Sequence, residues 1–345
     1  MRAVVLEEKD RIEIRDIKVN ENVGPNDVKI KIASVGICGS DVHYYKHGKI
    51  GDFVVRQPMI LGHEASGVIA EIGSAVTHLK VGDRVAMEPG IPNHLSRESM
   101  LGMYNVDPSV QFWATPPVHG CLRNSVVHPA NLTFKIPDNV SFDEAVMAEP
   151  LTLGVHVARK VGVVPGDTAI VTGAGPIGVI IALSALASGC SRVIITDVVQ
   201  AKLDLVEKFY GGRIIPFNIA KGDLKKFVYG HFPYGADIYF EASGAAAAIT
   251  HAADYLTPGG KIVFIGMTQG PVPIDLVAAQ TKEIVMYTIF RYANDYQRAI
   301  NFIASGQIDV KPLISKHYKF EESVEAFRFA ASAPPDVIKT IIHLT

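Results

Sequence analysis

Three cysteines in 345 residues are too few, and odd in number, to build a disulfide framework, so the chain is expected to work in a reducing cytoplasm. An excess of either charge is also missing. Thirty-three basic side chains stand against 35 acidic ones, which excludes a broad basic face for nucleic acid. Long apolar runs are missing as well: Pro176 to Cys190 stops short of the roughly 20 residues of a membrane span. It carries Ser184 and Ser188 and reads as a buried helix. At the N-terminus Glu7, Glu8 and Asp10 interrupt the chain before an apolar core of signal-peptide length can form. No internal repeat and no low-complexity segment is present. The length allows two domains, each with its own core.

Residues 1–150 hold short β-type runs (Arg2 to Leu6, Asp27 to Val35, Gly67 to Ile72, Arg84 to Met87, Leu132 to Ile136) between Gly, Pro, Asn and Asp clusters, with little helical periodicity. That texture predicts a mostly β, barrel-like domain. Over 151–285 strands alternate with helix-length segments, which predicts an α/β domain with a parallel sheet. Two helices, Asp295 to Ser305 and Glu321 to Ala331, and a final strand, Thr340 to Leu344, are expected in 286–345.

Three stretches carry chemistry. In Gly62-His63-Glu64 a neutral imidazole and a carboxylate stand side by side, both acceptable zinc ligands. Neighbours on a regular strand point to opposite faces, so both reach one metal only if the backbone departs from strand geometry, and Gly62 supplies that freedom. Gly173-Ala-Gly175-Pro176-Ile177-Gly178 follows a predicted strand and opens a helix. Gly173 allows the turn, Gly175 lets a pyrophosphate approach the backbone and Gly178 permits close helix packing, the pattern of a dinucleotide site. Asp197, 19 residues after Gly178, is placed to accept hydrogen bonds from the adenosine ribose and to repel a 2′-phosphate, favouring NAD over NADP. The third stretch, Val35-Gly-Ile-Cys38-Gly-Ser40-Asp41-Val-His43-Tyr44, contains a cysteine that is either a small core residue or a ligand meeting His63 and Glu64 in space.

The whole chain resembles the zinc-dependent medium-chain dehydrogenase/reductase family, through Gly62-His63-Glu64-x-x-Gly67 with Gly73 and Val76. The Gly36 to Tyr45 run (Gly-Ile-Cys-Gly-Ser-Asp-Val-His-Tyr-Tyr) and Phe290-Arg291-Tyr292 are similar to its sorbitol/xylitol (polyol) dehydrogenase branch. The resemblance implies a GroES-like catalytic domain (1–150 and 286–345), a Rossmann NAD-binding domain (151–285), and a homotetramer. It implies zinc held by Cys38, His63 and a carboxylate from Glu64 or Glu149. It implies a proton relay that begins at Ser40 and the nicotinamide ribose and ends at His43, and a polyol pocket with Tyr44, Phe53, Glu149, Arg291 and Tyr292. Beside the glycines, Asp197 and Lys202, it implies cofactor contacts at Ser243, Ile265, Gly266, Met267, Ile289, Phe290 and Arg291.

One thiolate, one imidazole and one carboxylate neutralise Zn²⁺ and leave it acidic enough to lower the pKa of a bound hydroxyl, whereas two carboxylates would blunt that effect. One of Glu64 and Glu149 is therefore expected as ligand, with Glu64 favoured, and the other near bound water or substrate. Many members of the family carry a second, structural zinc on four cysteines. Here those positions are Asn93, Ser96, Ser99 and Asp107, and Cys121 and Cys190 lie elsewhere, so a single zinc is expected and His94 reads as a solvated loop residue. The expected activity is NAD-dependent oxidation of a polyol to a ketose. The rivals are a simple or amino-alcohol dehydrogenase of the same fold and a catalytically silent dinucleotide-binding member.

Overall fold

Apolar and polar residues alternate from Asp27 to Lys31 and then become mostly apolar, and the strand Asp27–Ile37 follows suit: one face solvated at first, both faces buried from Ile32 on. The computed structural model describes residues 1–19, 22–332 and 334–344. They form two compact units, Met1–Glu149 with Tyr296–Thr345, and Pro150–Asp295.

In the first unit a seven-stranded sheet contains Asp27–Ile37 in its interior. Glu64–Ile72 pairs antiparallel along one edge of that strand, with Gly36 opposite Glu64. On the other edge Ser125–Pro129 pairs near its start and Lys339–His343 near its end, both antiparallel. Lys339–His343 in turn pairs parallel with Ile314–Lys319. A smaller sheet of Arg11–Asp16, Arg2–Glu8 and Met59–Ile60 packs its apolar residues into the same core, with Val4, Ile30, Leu61 and Phe327 all at or below 1% exposure. The last strand of the chain thus lies beside its first long strand, and that pairing carries Lys339 to the end where Cys38 and Glu64 sit.

The first unit holds more helix than its periodicity predicts. Gly39–His47 is polar, and only Asp41 and Tyr44 face inward, so no apolar stripe betrays it. Its start is encoded instead by capping, since Asp41 accepts from the backbone N–H of Cys38 at 3.1 Å.

In the second unit six parallel strands run in the order Ile214–Asn218, Arg192–Asp197, Thr168–Thr172, Ala236–Glu241, Leu256–Phe264 and Val285–Thr288. This is the doubly wound Rossmann order, and the central strands are buried nearly throughout because helices cover both faces. The expected end of this unit at 285 would cut the sheet: Val285–Thr288 pairs with Leu256–Phe264, and the unit runs on to Asp295. That strand is short and half-exposed, which is why it reads poorly as a buried strand. Among the described residues no helix is long and apolar enough to cross a membrane.

Candidate active site

Gly62 adopts φ +88°, a conformation costly for any residue with a Cβ, and the regular strand begins only at Glu64. His63 therefore precedes the strand, and the two adjacent side chains converge. Cys38, at the N-cap of Gly39–His47, joins them: one ligand atom from each of Cys38, His63 and Glu64 lies within 4.8 Å of the others. Gly36 makes the room, since a methyl there would fall 2.2 Å from Glu64 Oε2.

The surroundings favour a cation. Asp41 is fully buried and accepts from the backbone N–H of Cys38 and of Gly62, at 3.1 and 3.0 Å. Its Oδ2 lies 3.7 Å from His63 Nδ1. Burial works against charge on His63, but Asp41 and then Cys38 override it and hold the imidazole well above its ordinary value. A pocket that stabilises positive charge among a thiol, an imidazole and a carboxylate fits zinc.

Lys339 was not anticipated. Its Nζ donates to both oxygens of Glu64 at 2.6 Å, inside the protein. Burial lowers the affinity of Lys339 for its proton, yet Glu64, then Cys38 and Glu149, more than offset this and raise it above the usual value. Counting Lys339, the site carries one more positive charge than the ligand arithmetic supposed, which accommodates Glu149 as a second nearby carboxylate. Glu149 is 6% exposed in the first turn of Ala148–Val161. Its charge is also felt at Tyr296, whose hydroxyl is pushed well up by burial, then by Glu149, Glu88 and Glu64. Asp41 was missed as well. The Cys-x-x-Asp spacing of a helix cap could have found it, and a lysine within the apolar run Val337 to Ile342 signals a buried cation in need of an anion.

Ser40 and His43 stand three apart on Gly39–His47, hence on one face, with Ser40 half-buried and His43 exposed. The His43 ring lies 4.5 Å from that of His47, and burial followed by the charge of His47 lowers its pKa. Tyr44 is buried at 3%, whereas Phe53 is 43% exposed on the Phe53–Val54 strand.

In the second unit Gly173 has φ +92°, and a Cβ on Gly178 would fall 1.7 Å from the carbonyl oxygen of Gly173, so helix and turn pack too closely for a side chain. Around Gly175 the space is open. Pro176 and Ile177 begin the helix Pro176–Ser188. Asp197 accepts from the backbone N–H of Ala174 and of Val199, both at 2.9 Å, and Lys202 lies 3.7 Å away. The carboxylate therefore braces the glycine turn and faces a cavity of about 360 Å³ lined by Gly173, Ser243, Leu224 and Tyr255 among others. Ser243 is held by Glu241, which also accepts from the N–H of Ser243 and Gly244. Ile265 and Gly266 follow the strand Leu256–Phe264, and Met267 is 72% exposed. Ile289 donates its N–H to Phe264 at 3.0 Å. Phe290 is half-exposed under the Arg291 guanidinium at 4.9 Å, and Arg291 has φ +52°. Tyr292 is buried, and fully buried Asp295, paired with Arg159 at 2.8 Å, anchors the end of this segment.

The lobe without cysteines is closed by oxygen. Asp107 accepts from the N–H of Asn93 at 2.7 Å and from the N–H and hydroxyl of Ser109 at 2.9 and 2.8 Å, while Ser96 caps a short helix through Ser99 N–H at 3.1 Å. Burial opposes the Asp107 charge, but these donors hold its carboxyl below the usual range. His94 is exposed in this lobe, its ring 3.4 Å from Asn131 Nδ2.

A β-rich unit with a thiol, imidazole and carboxylate cluster, joined in one chain to a Rossmann unit with a braced glycine turn, defines a class of metal-dependent dehydrogenase. The model of the alcohol dehydrogenase GroES-like domain matches residues 24–138, and the zinc-binding dehydrogenase model matches residues 176–305. A D-xylulose reductase from Morganella morganii is 54% identical over 331 residues, covering 96% of this chain and 98% of that one. A sorbitol dehydrogenase from Bos taurus is 42% identical over 306 residues, covering 88% and 86%. Among solved structures, an oxidoreductase/dehydrogenase of unknown specificity from Escherichia coli superposes with a TM-score of 0.93 at 33% identity, covering 100% and 99%. The chain belongs to the zinc-dependent medium-chain dehydrogenase/reductase family, in its polyol dehydrogenase branch.

Proposed function

We propose that the chain oxidises a secondary hydroxyl of a linear polyol, xylitol or sorbitol, to a ketose with NAD, using a single zinc held by Cys38, His63 and Glu64. The observation that carries this reading is the convergence of those three side chains, one ligand atom of each lying within 4.8 Å of the others. The names of the relatives, D-xylulose reductase and sorbitol dehydrogenase, support the substrate class. Bound there, zinc supplies a Lewis acid to the hydroxyl, and NAD supplies the hydride acceptor.

The chain does the rest. Asp41 holds the backbone of Cys38 and Gly62 in place, and Lys339 fixes the Glu64 carboxylate. Ser40 can both donate and accept, so with the nicotinamide ribose it begins a proton relay that ends at His43, whose lowered pKa leaves it neutral and able to accept at pH 7. Tyr44, Phe53, Glu149, Arg291 and Tyr292 recognise the substrate; the polar ones among them recover the desolvation cost of a chain of hydroxyls, which an aliphatic cleft would not. Asp197 selects NAD against NADP, and Lys202, Ser243, Ile265, Gly266, Met267, Ile289 and Phe290 complete the cofactor site. The lobe around Asp107 needs no structural zinc.

The protein works in the cytoplasm as a homotetramer. Leu95, Met100, Leu101 and Met103 are exposed apolar side chains within nine residues of one another, of the kind an oligomer covers. Light scattering on the purified protein reads the subunit number directly.

Initial rates on xylitol, sorbitol, 2-butanol and an amino alcohol with NAD test the substrate. Xylitol or sorbitol should exceed 2-butanol in kcat/KM by orders of magnitude. Parity with 2-butanol removes the polyol assignment, and no turnover in zinc-loaded protein marks a silent member.

A further inference from the structure

A second set of metal-ligating side chains lies in the first unit and shares no residue with the site above. Asp143, in the first turn of Phe142–Val146, faces His343 on the strand Lys339–His343 and His317 on the neighbouring strand Ile314–Lys319. His343 Nε2 is 3.0 Å from both Asp143 oxygens, and His317 Nδ1 is 3.4 Å from Oδ2. One ligand atom from each of the three lies within 4.8 Å of the others, and the two rings are 5.2 Å apart.

We propose that Asp143, His317 and His343 form a second metal site, for a divalent transition cation such as Zn²⁺, Ni²⁺ or Co²⁺. Metal bonds of ~2.0–2.2 Å set ligand-to-ligand edges of about 3.3–3.6 Å in a tetrahedron. The observed 3.0 and 3.4 Å come within a few tenths of an ångström of those edges. Two imidazoles and one carboxylate suit transition metals over Mg²⁺ or Ca²⁺, which prefer all-oxygen cages.

The carboxylate is also oriented from behind. Ser34, itself 3% exposed, donates its hydroxyl to Asp143 Oδ1 at 2.8 Å, the outer-shell support that metal-binding carboxylates use. Ser34 sits opposite His343 in the strand pairing, so the same register that places the ligand places its support. The side chains of Asp143, His317 and His343 are 23%, 49% and 37% exposed. The site is open to solvent, water fills its remaining positions, and it exchanges its ion more readily than the buried Cys38, His63, Glu64 cluster. A bound cation ties the terminal strand to the helical turn Phe142–Val146 across 200 positions of sequence.

Equilibrium dialysis of the full-length protein against buffered free Zn²⁺, with elemental analysis, tests the assignment. The wild type should take up two equivalents per chain, the second more weakly, while His317→Ala and His343→Ala should each retain only the first. Co²⁺ separates the sites by spectrum: a thiolate-to-metal charge-transfer band belongs to Cys38, whereas the second equivalent adds ligand-field bands without it. His317 is half-exposed, so its loss leaves the fold intact, and circular dichroism verifies that. Uptake of a single equivalent by the wild type, or a second equivalent that survives in both variants, overturns the proposal.

Discussion

Lys339 sets its ammonium 2.6 Å from both carboxylate oxygens of Glu64, with the two side chains 4% and 1% exposed. Removing one partner of such a pair leaves a buried charge, at a cost of about 3–5 kcal/mol. Lys339→Met should therefore destabilise the protein, and the loss should depend on metal. A cation among Cys38, His63 and Glu64 replaces the missing ammonium as the counter-charge of Glu64. Denaturant midpoints measured with chelator and with zinc should differ more in Lys339→Met than in the wild type. Equal losses under both conditions would show that Lys339 and the metal do not share Glu64.

Zinc stoichiometry tests the cysteine-free lobe. Exhaustively desalted protein should keep one zinc per chain, and Asp107→Ala should keep it too. That substitution leaves the N–H groups of Asn93 and Ser109 without their acceptor, which costs about 1–3 kcal/mol. Loss of the retained zinc in Asp107→Ala would place that metal in the lobe.

Asp197 braces the glycine turn, and the ribose contact proposed for it is a second duty with a different kinetic signature. Asp197→Ala should raise KM for NAD and narrow the NAD:NADP ratio of kcat/KM, because the repulsion toward a 2′-phosphate goes with the charge. A ratio that stays fixed while both values fall would leave only the bracing role, through Ala174 and Val199.

Arg291 combines a donor fork with a left-handed backbone, φ +52°. Arg291→Ala and Arg291→Gly both remove the fork, but glycine relaxes the backbone by about 1 kcal/mol. Both should erode the advantage of xylitol over 2-butanol by tenfold or more in kcat/KM. If only the alanine variant does so, the segment's conformation matters and the guanidinium does not.

His128 makes the fold acid-sensitive. Its Nε2–H donates to the Glu88 carbonyl at 2.9 Å, and burial pushes its pKa down to about 4, from 6.5. The folded value lies below the unfolded one, so on acidification the unfolded chain binds the proton first. Stability is then complete above about pH 6.5 and falls progressively toward pH 4, by about 3 kcal/mol for the full shift. In His128→Gln the dependence of unfolding free energy on pH should flatten across that window. An unchanged slope would assign the acid sensitivity to other groups.

Much of the site is legible where chemistry is local. Gly62 before His63 and the three glycines of the 173–178 turn are conformational demands met within a few residues, and contiguous sequence carries them; the cap from Asp41 to Cys38 is as local but was missed. The absence of thiols at Asn93, Ser96, Ser99 and Asp107 is legible by counting. The polar helix Gly39–His47 is hidden because burying only Asp41 and Tyr44 leaves no apolar period.

By itself, then, the sequence marked the glycine turn 173–178 and the donor pair His63-Glu64, left Cys38 to the family resemblance, and excluded a four-cysteine site by counting. Tertiary structure alone decided that Lys339, 275 positions after Glu64, is its counter-ion, that Asp107 closes the lobe, and that Asp143, His317 and His343 meet. The physical reason is strand register. Pairing Thr340 with Ile37 and Glu64 with Gly36 places side chains from both ends of the chain around one point. Such long-range pairing is selected by the faces that must be buried together, and no contiguous stretch of sequence records it.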